Sequence, residues 1–317
     1  MTIIVRLVGS TDEDLAPIVA VTNAVAPEDP TSIDSMRWSD ETYPGGARWI
    51  AEVDGRAVGV GTAGRIYMYA PDFDAFWATI HVLPDARRGG IGSALLDRAG
   101  RFARAAGKTH LHIPTNDGRP DGAAFLAHRG FTVYDRSKSV RLVLRGLAPP
   151  DVIAPDGIQL TTLEARPDLV EGVHAVALEA FPDEPSGDRP MDVGDLAEFR
   201  ARDVDRSDIR AGGFMVALDA ADGSAVGYAA LSMLPGSTTA AWHDMTAVRR
   251  AYRGRGIARA LKLATIRWAI EHGLETLDSG NDEDNAPMRA VNAALGYAPL
   301  PDDVTMRGPA VSGIIAP

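Results

Sequence analysis

The chain has 317 residues, 45% of them hydrophobic and 24% charged, enough for two cores of about 150 residues each and too apolar for a disordered chain. Its net charge of −11 argues against a nucleic-acid surface, and the absence of cysteine excludes disulfides, thiolate metal sites and a cysteine acyl-enzyme. The seven histidines show no H-E-x-x-H or similar spacing, so no metal site is expected; no apolar run reaches membrane-spanning length and the N-terminus lacks a cleavage pattern, so a cytoplasmic protein is expected.

In chain order, residues 3–8 read as a strand, and the stretch after Ser10 or Thr11 as a capped helix. Residues 48–63 read as a hairpin turning at Asp54-Gly55, and Phe76 to Val82 as a strand that runs into a basic, glycine-rich loop, Arg87 to Gly92. Ile91, Leu95, Ala99, Phe102 and Ala106 give the following segment a helical apolar face that ends at Gly107. A polar closing segment leads to Gly130-Phe131, and residues 139–146, SVRLVLRG, read as the last strand of a first domain. Residues 146–157, rich in proline and glycine and without periodicity, read as the linker.

The second half repeats the plan: a strand at IQLTTL, a helix near Leu169 to Ala180, an acidic segment, and a hairpin turning at Asp222-Gly223. A strand through Trp242, Asp244 and Val248 follows, then the basic loop Arg249 to Gly256 and a helix with Ile257, Leu261, Ala264 and Trp268 on one face. Glycines and a helix start that follow a strand bring backbone N–H groups together at the positive end of a helix dipole, a site suited to a pyrophosphate. The loop matches neither the G-x-x-x-x-G-K-[ST] nor the G-x-G-x-x-G pattern, Arg259 standing where the third glycine would be.

Arg253, Gly254, Arg255, Gly256, Ile257 and Ala258 resemble the R-x-x-G-x-A loop of the GNAT superfamily, the acyl-CoA-dependent N-acyltransferases. The chain holds the pattern twice. Val82, Arg87, Gly90, Gly92, Gly107, Gly130 and Phe131 match Val248, Arg253, Gly256, Ala258, Gly273, Gly296 and Tyr297, each pair 166 positions apart. The resemblance therefore implies an α/β chain of mixed sheets built as two tandem GNAT domains. The expected domains are 1–147, not catalytic, and 148–317, catalytic.

It also implies acetyl-CoA as the cofactor, held in the second half by Val248, Arg253, Gly254, Arg255, Gly256, Ile257, Ala258, Asn281 and Asn285, and in the first by Val82, Arg87, Arg88, Gly89, Gly90, Ile91 and Gly92. In the family a general base commonly sits four or six residues before this valine. Asp244 lies four before Val248, where the repeat has Ala78, and Trp242 is matched to Phe76, so Asp244 is the candidate base. A structural hydrogen-bond acceptor is its other reading. Simple alternation puts Trp242, Asp244 and Thr246 on the face of Val248, with His243 and Met245 on the other. The family's frequent tyrosine, four residues before the terminal glycine, is replaced by Asn292 and Leu126, so no general acid is assigned, a water, Ser279 and Tyr228 being the groups considered.

The expected reaction is direct acetyl transfer to a small cationic amine. Asp183, Glu184, Asp188 and Asp192 would form a negative rim, and Asp183, Glu184 and Trp242 are the candidate acceptor contacts, with a solvated acidic surface as the equal alternative. No nucleic-acid or membrane partner is expected, and the chain is expected to act as a monomer with pseudo-twofold tandem domains. A non-catalytic acyl-CoA-binding or regulatory module is the alternative function; transfer from charged tRNA is disfavoured by the acidic balance and the two CoA-type loops.

Overall fold

The computed structural model describes residues 2–185 and 191–310. In chain order it has β1 (Ile3–Val8), α1 (Asp12–Val25), α2 (Ile33–Thr42), β2 (Ala47–Val53), β3 (Arg56–Arg65), β4 (Ala75–Val82), α3 (Ile91–Ala105), β5 (His110–Asn116), α4 (Pro120–Ala127) and β6 (Thr132–Val143). There follow β7 (Ile158–Thr162), α5 (Val170–Ala180), α6 (Leu196–Phe199), β8 (Met215–Asp219), β9 (Ala225–Met233), β10 (Ala240–Val248), α7 (Ile257–Glu271), β11 (Thr276–Asp282), α8 (Ala286–Ala294), β12 (Ala298–Pro299) and β13 (Asp303–Pro309). Among the described residues no helix is long and apolar enough to cross a membrane.

Two compact units emerge. The first is the chain up to Arg136 together with the chain from Asp302, and the second runs from Ser137 to Pro301. In the first, the strands lie in the order β1-β2-β3-β4-β5-β13; α3 covers one face through Ile91, Leu95 and Ala99, while α1 and α2 cover the other through Leu15, Ile18 and Met36 against Ile50 and Val60. Helix α1 starts as read from the sequence: Thr11 caps it by accepting from the N–H of Asp14, and three acidic residues fill its first turn.

In the second unit the order is β6-β11-β10-β9-β8-β7, with β12 beside β6. Ile257, Leu261 and Ala264 of α7 pack on one face against Val226, Ala229 and Val248, and Val173, Val176 and Ala177 of α5 pack on the other against Val216, Tyr228 and Ala247. Both halves thus place an amphipathic helix directly after the basic loop and fold it back onto the strand it follows.

The division differs from the boundary expected at 147/148. Residues 137–143 of β6 pair along β11, from Ser137 opposite Asp282 to Val143 opposite Thr276, so the strand read as the end of the first domain belongs to the second. Strand β13 pairs along β5, from Asp303 opposite Asn116 to Pro309 opposite His110, and completes the first sheet. An alternating strand shows which residues face the core but not which edge it joins, so the pattern in the sequence is the same for either partner.

Candidate active site

The two basic loops have one backbone design. Arg253 Nε donates to the carbonyl of Val248 at 3.0 Å, and Arg87 Nε to that of Val82 at 3.2 Å, so each arginine folds back on the end of its own strand. Gly256 (φ 81°) and Gly90 (φ 87°) then stand at the N-termini of α7 and α3 in the left-handed conformation, and no side chain caps either helix. A Cβ at Gly254 or Gly256 would meet nothing within 4 Å, so the N–H groups at the start of α7 face open space.

The loops differ in two details. Gly254 (φ 75°) is matched in the first unit by Arg88 (φ 65°), a non-glycine residue held in a strained conformation. A methyl group on Gly92 would also meet the Phe125 ring at 3.3 Å, so the approach to α3 is crowded from α4. Arg255, expected at the cofactor, donates to the Asp156 carbonyl at 2.9 Å.

Beside the loop of the second unit, β10 and β11 part. They pair in parallel only from Ala240–Trp242 to Thr276–Asp278, and where they diverge Ser279 Oγ donates to the carbonyl of His243 at 3.1 Å. Beyond that point Thr246 Oγ1 is buried without a hydrogen-bond partner, as is Asn292 Oδ1 from α8. Asn292 donates through Nδ2 to Asn281 Oδ1 at 2.7 Å, and Asn285 caps α8 by accepting from the N–H of Met288.

On the side of β9, β10 carries a bulge. His243 is opposite Leu231 and Thr246 opposite Ala229, so three steps on β10 match two on β9, whereas β4 runs against β3 without interruption from Phe76 to Val82. The extra residue breaks the alternation assumed from the sequence. His243 turns to the α7 face, where its Nε2 lies 3.0 Å from Thr265 Oγ1, while Met245 and Ala247 join the α5 face. Asp244 lies on that α5 face with Ser232 and Tyr228, away from Val248, and His243 shares Val248's face. The expected facing is therefore reversed for Trp242, His243 and Asp244 and kept for Met245 and Thr246, which lie after the extra residue enters.

The bulge also corrects the match between halves. Trp77 pairs with His112 and Trp242 with Asp278, so these two tryptophans are equivalent although they are 165 positions apart rather than 166. The counterpart of Asp244 is then Thr79, whose hydroxyl lies 2.8 Å from that of Thr62, and Ala78 is the counterpart of His243. The first unit still offers no carboxylate at this place.

Asp244 keeps 35% of its side-chain surface open at the floor of a recess. Burial raises its carboxyl above the usual range, opposed by the Arg206 guanidinium 3.9 Å away and by a hydrogen bond with Ser232. Two more acids are raised in the same recess. Burial pushes Glu184 up to about 7, with the Asp282 charge adding to it, and burial also raises Asp203, which pairs with Arg202 at 2.9 Å. All three act on Tyr228, whose buried hydroxyl has no hydrogen-bond partner.

Asp183 does not belong to a free negative rim. Its carboxylate takes hydrogen bonds from Arg250 at 2.6 and 2.7 Å and from Arg253 at 2.7 Å, which hold it down at about 2. Asp192 accepts from the N–H of Gly194 in a local turn, and Asp188 lies outside the described residues. Trp242, half-buried, shares the Asp244 face and lies with its ring 3.4 Å from where a Cβ on Gly280 would stand. Asp203, Arg206 and Ser232 were missed in the sequence, where only their spacing to Asp244 through the fold distinguishes them from ordinary polar residues.

The profile of the acetyltransferase (GNAT) family matches the chain twice, over residues 18–131 and 174–297. The chain belongs to the GNAT acetyltransferase family. A mycothiol acetyltransferase from Nocardia farcinica is 27% identical over 94% of this chain and 94% of its own, and one from Saccharomonospora viridis is 30% identical over 72% of each. Among solved structures, a tandem GNAT protein from the clavulanic acid biosynthesis pathway covers 98% of this chain and 100% of its own at TM-score 0.79 and 23% identity. A GCN5-related N-acetyltransferase from Sphaerobacter thermophilus superposes at TM-score 0.73 with 17% identity, covering 98% and 97%. These structures share the tandem fold. As a GNAT acetyltransferase the protein uses acetyl-CoA, and the open glycine loop with its uncapped helix and the unsatisfied polar atoms in the strand cleft of the second unit are chemically matched to a pyrophosphate and to the amides of a pantetheine arm.

Proposed function

We propose that the second unit acetylates the amine of a small cationic acceptor, and that Asp244 is its base. The observation that carries this reading is the bulge in β10, which turns Asp244 out of the α7 core and into a recess with two other acids of raised pKa. Acetyl-CoA supplies an acetyl group activated as a thioester. Val248, Arg253, Gly254, Gly256, Ile257, Ala258, Asn281 and Asn285 would hold it, the loop by its N–H groups and Arg253 by charge. Asp244 Oδ, its basicity raised by burial and opposed by Arg206, accepts the proton that an ammonium must lose before its nitrogen can attack. Glu184 and Asp203 give the recess its preference for a cation, and Trp242 offers a ring face to it.

The curated relatives named mycothiol acetyltransferases support an acetyl acceptor of small-molecule size, while their 25–30% identity leaves the acceptor itself open. Initial rates of thiol release with a panel of cationic and neutral amines test the reading. Cationic amines should be preferred, and the preference should shrink as ionic strength rises. Equal turnover of both classes at every salt concentration would remove the cationic acceptor from the proposal.

The first unit fits the non-catalytic reading. Its loop is strained at Arg88 and crowded by Phe125, and on its α3 face Ala78, Leu96, Ala99 and Phe131 stand where the second unit has His243, Lys262, Thr265 and Tyr297.

A further inference from the structure

The α7 face of the second unit carries a buried polar cluster that the reaction as described leaves unused. Lys262 is 1% exposed, and its Nζ lies 5.6 Å from the centroid of the Tyr297 ring, with no carboxylate or other acceptor for it among the described residues. Thr265 Oγ1 donates to the Lys262 carbonyl at 2.8 Å, so toward His243 Nε2 it is the acceptor, and that nitrogen carries the hydrogen. His243 Nδ1 is then bare and accepts from the Tyr297 hydroxyl at 2.8 Å. Tyr297, Thr265 and His243 have thus each committed their proton. Lys262 has not.

The cluster stands at the cleft. Val248 packs on Ile257 and Leu261, and His243 meets Thr265, so α7 runs back along β10 and Lys262 lies alongside residues 244–247, the segment that has left β11. The repeat shows that the fold does not need it. At the matching places the first unit has Ala78 for His243, Leu96 for Lys262, Ala99 for Thr265 and Phe131 for Tyr297, all in one hydrophobic cluster. Burying an ammonium that has a tyrosine ring but no carboxylate beside it is unfavourable where leucine serves the packing.

We propose that Lys262 is the proton donor to the departing sulfur of CoA, in a site whose α8 carries Asn292 where a tyrosine acid is frequent. The proposal rests on the second unit being the catalytic one. Asp244 takes a proton from the acceptor ammonium; the new N–C bond forms as the C–S bond breaks, the sulfur, leaving with the electron pair, takes a proton from Lys262 Nζ, and the nitrogen gives its second proton to solvent, as Asp244 then gives up its own. The neutral amine of Lys262 regains a proton from water, for a net release of one proton per transfer. Burial pushes Lys262 down to about 7, below a free thiol at about 8.5, so the transfer runs downhill. The groups facing it are His243 from β10, itself held neutral by burial and by Lys262, Thr265 from α7, and Tyr297 after α8, raised by burial and by Asp278 of β11.

The test uses the full chain with CoA alone, no acceptor being needed. Ultraviolet absorbance of the thiolate, followed against pH, should show CoA ionising at least about 1 unit lower when bound to Lys262→Arg than when bound to the wild type, since arginine keeps its charge beside the sulfur whereas Lys262 gives its proton up first. A Lys262→Arg variant that binds CoA and titrates like the wild type overturns the proposal, and so does a Lys262→Met variant that binds CoA and keeps the wild-type turnover. The fixed charge of Lys262→Arg cannot be given up, so its turnover should fall about 10-fold or more even though its thiol titrates lower. Unchanged turnover in Lys262→Arg overturns it too. A shifted thiol in a protein that acetylates no cationic amine would leave Lys262 in place and remove the acceptor reading alone.

Discussion

Burial acts on Glu184 and Lys262 in opposite senses, and each sense is a statement about stability. Glu184 binds its proton more tightly folded, at about 7, than unfolded, at about 4.5, so its contribution is present below pH 4.5 and is lost as pH rises to about 7. Glu184→Gln should therefore flatten the fall in Tm across that window; an unchanged Tm profile would show that the carboxyl is solvated. Lys262 is lowered to about 7 from 10.5, so its charge opposes folding fully below pH 7 and progressively less up to 10.5. Lys262→Met should raise Tm at pH 7, and by less as pH approaches 10.5. A lower Tm in Lys262→Met at pH 7 would mean that the ammonium has a partner in solution. Asp244 is singled out in the sequence by its fixed distance before Val248, but the face it takes was not legible there, because one extra residue decides which face a strand residue takes.

The loop, the helix behind it and the repeat could be read from spacing alone, since glycine, arginine and a 3.6-residue apolar period each leave a local mark. The bulge left none. The residues outside it, from Val248 to Tyr297, keep the separation of 166, and the extra residue is exposed by strand pairing, in the register of β10 on β9 and in the matched pairs of Trp77 and Trp242. At the same scale, Arg88 holds a backbone conformation that costs an ordinary side chain about 1 kcal/mol, so Arg88→Gly should stabilise the protein by about 0.5 kcal/mol once the entropy of glycine is counted. Denaturant unfolding reads this directly, and a loss of stability would mean that the Arg88 side chain makes contacts worth more than its strain. Gly256→Val forces a branched residue to φ 81° at the start of α7 and should weaken CoA binding by about 10-fold or more, whereas Gly90→Val should leave the measured affinity in place. Calorimetric titration of both variants separates the two loops, and equal losses would assign CoA to both units.

For the whole chain, the linker composition of residues 146–157 misplaced the boundary because strand partners are set by non-local pairing. Residues 137–143 complete the second unit and β13 completes the first, so fragments 1–147 and 148–317 each lack a strand of their own unit and hold one of the other's. Expressed together they should co-purify, and expressed singly each should be aggregation-prone through an open sheet edge. Stable, separately soluble fragments would mean that the closing strands can pair within their own halves. The two units also differ in what they can do, since the second has a carboxylate, Asp244, where the first has Thr79, although each leaves a buried polar atom unsatisfied on the strand beside its cleft, Thr246 Oγ1 in the second and His81 Nδ1 in the first. The direct measurement is steady-state acetyl transfer by Asp244→Asn beside a variant changed at Arg87 and Gly90. The asparagine keeps the size and hydrogen bonding of Asp244 but cannot take up a proton, so kcat should fall on the order of 100-fold or more with CoA affinity unchanged, while the first-unit variant keeps its turnover. Near-normal turnover in Asp244→Asn, with activity lost in the Arg87 and Gly90 variant, would place the active centre in the first unit and contradict the account.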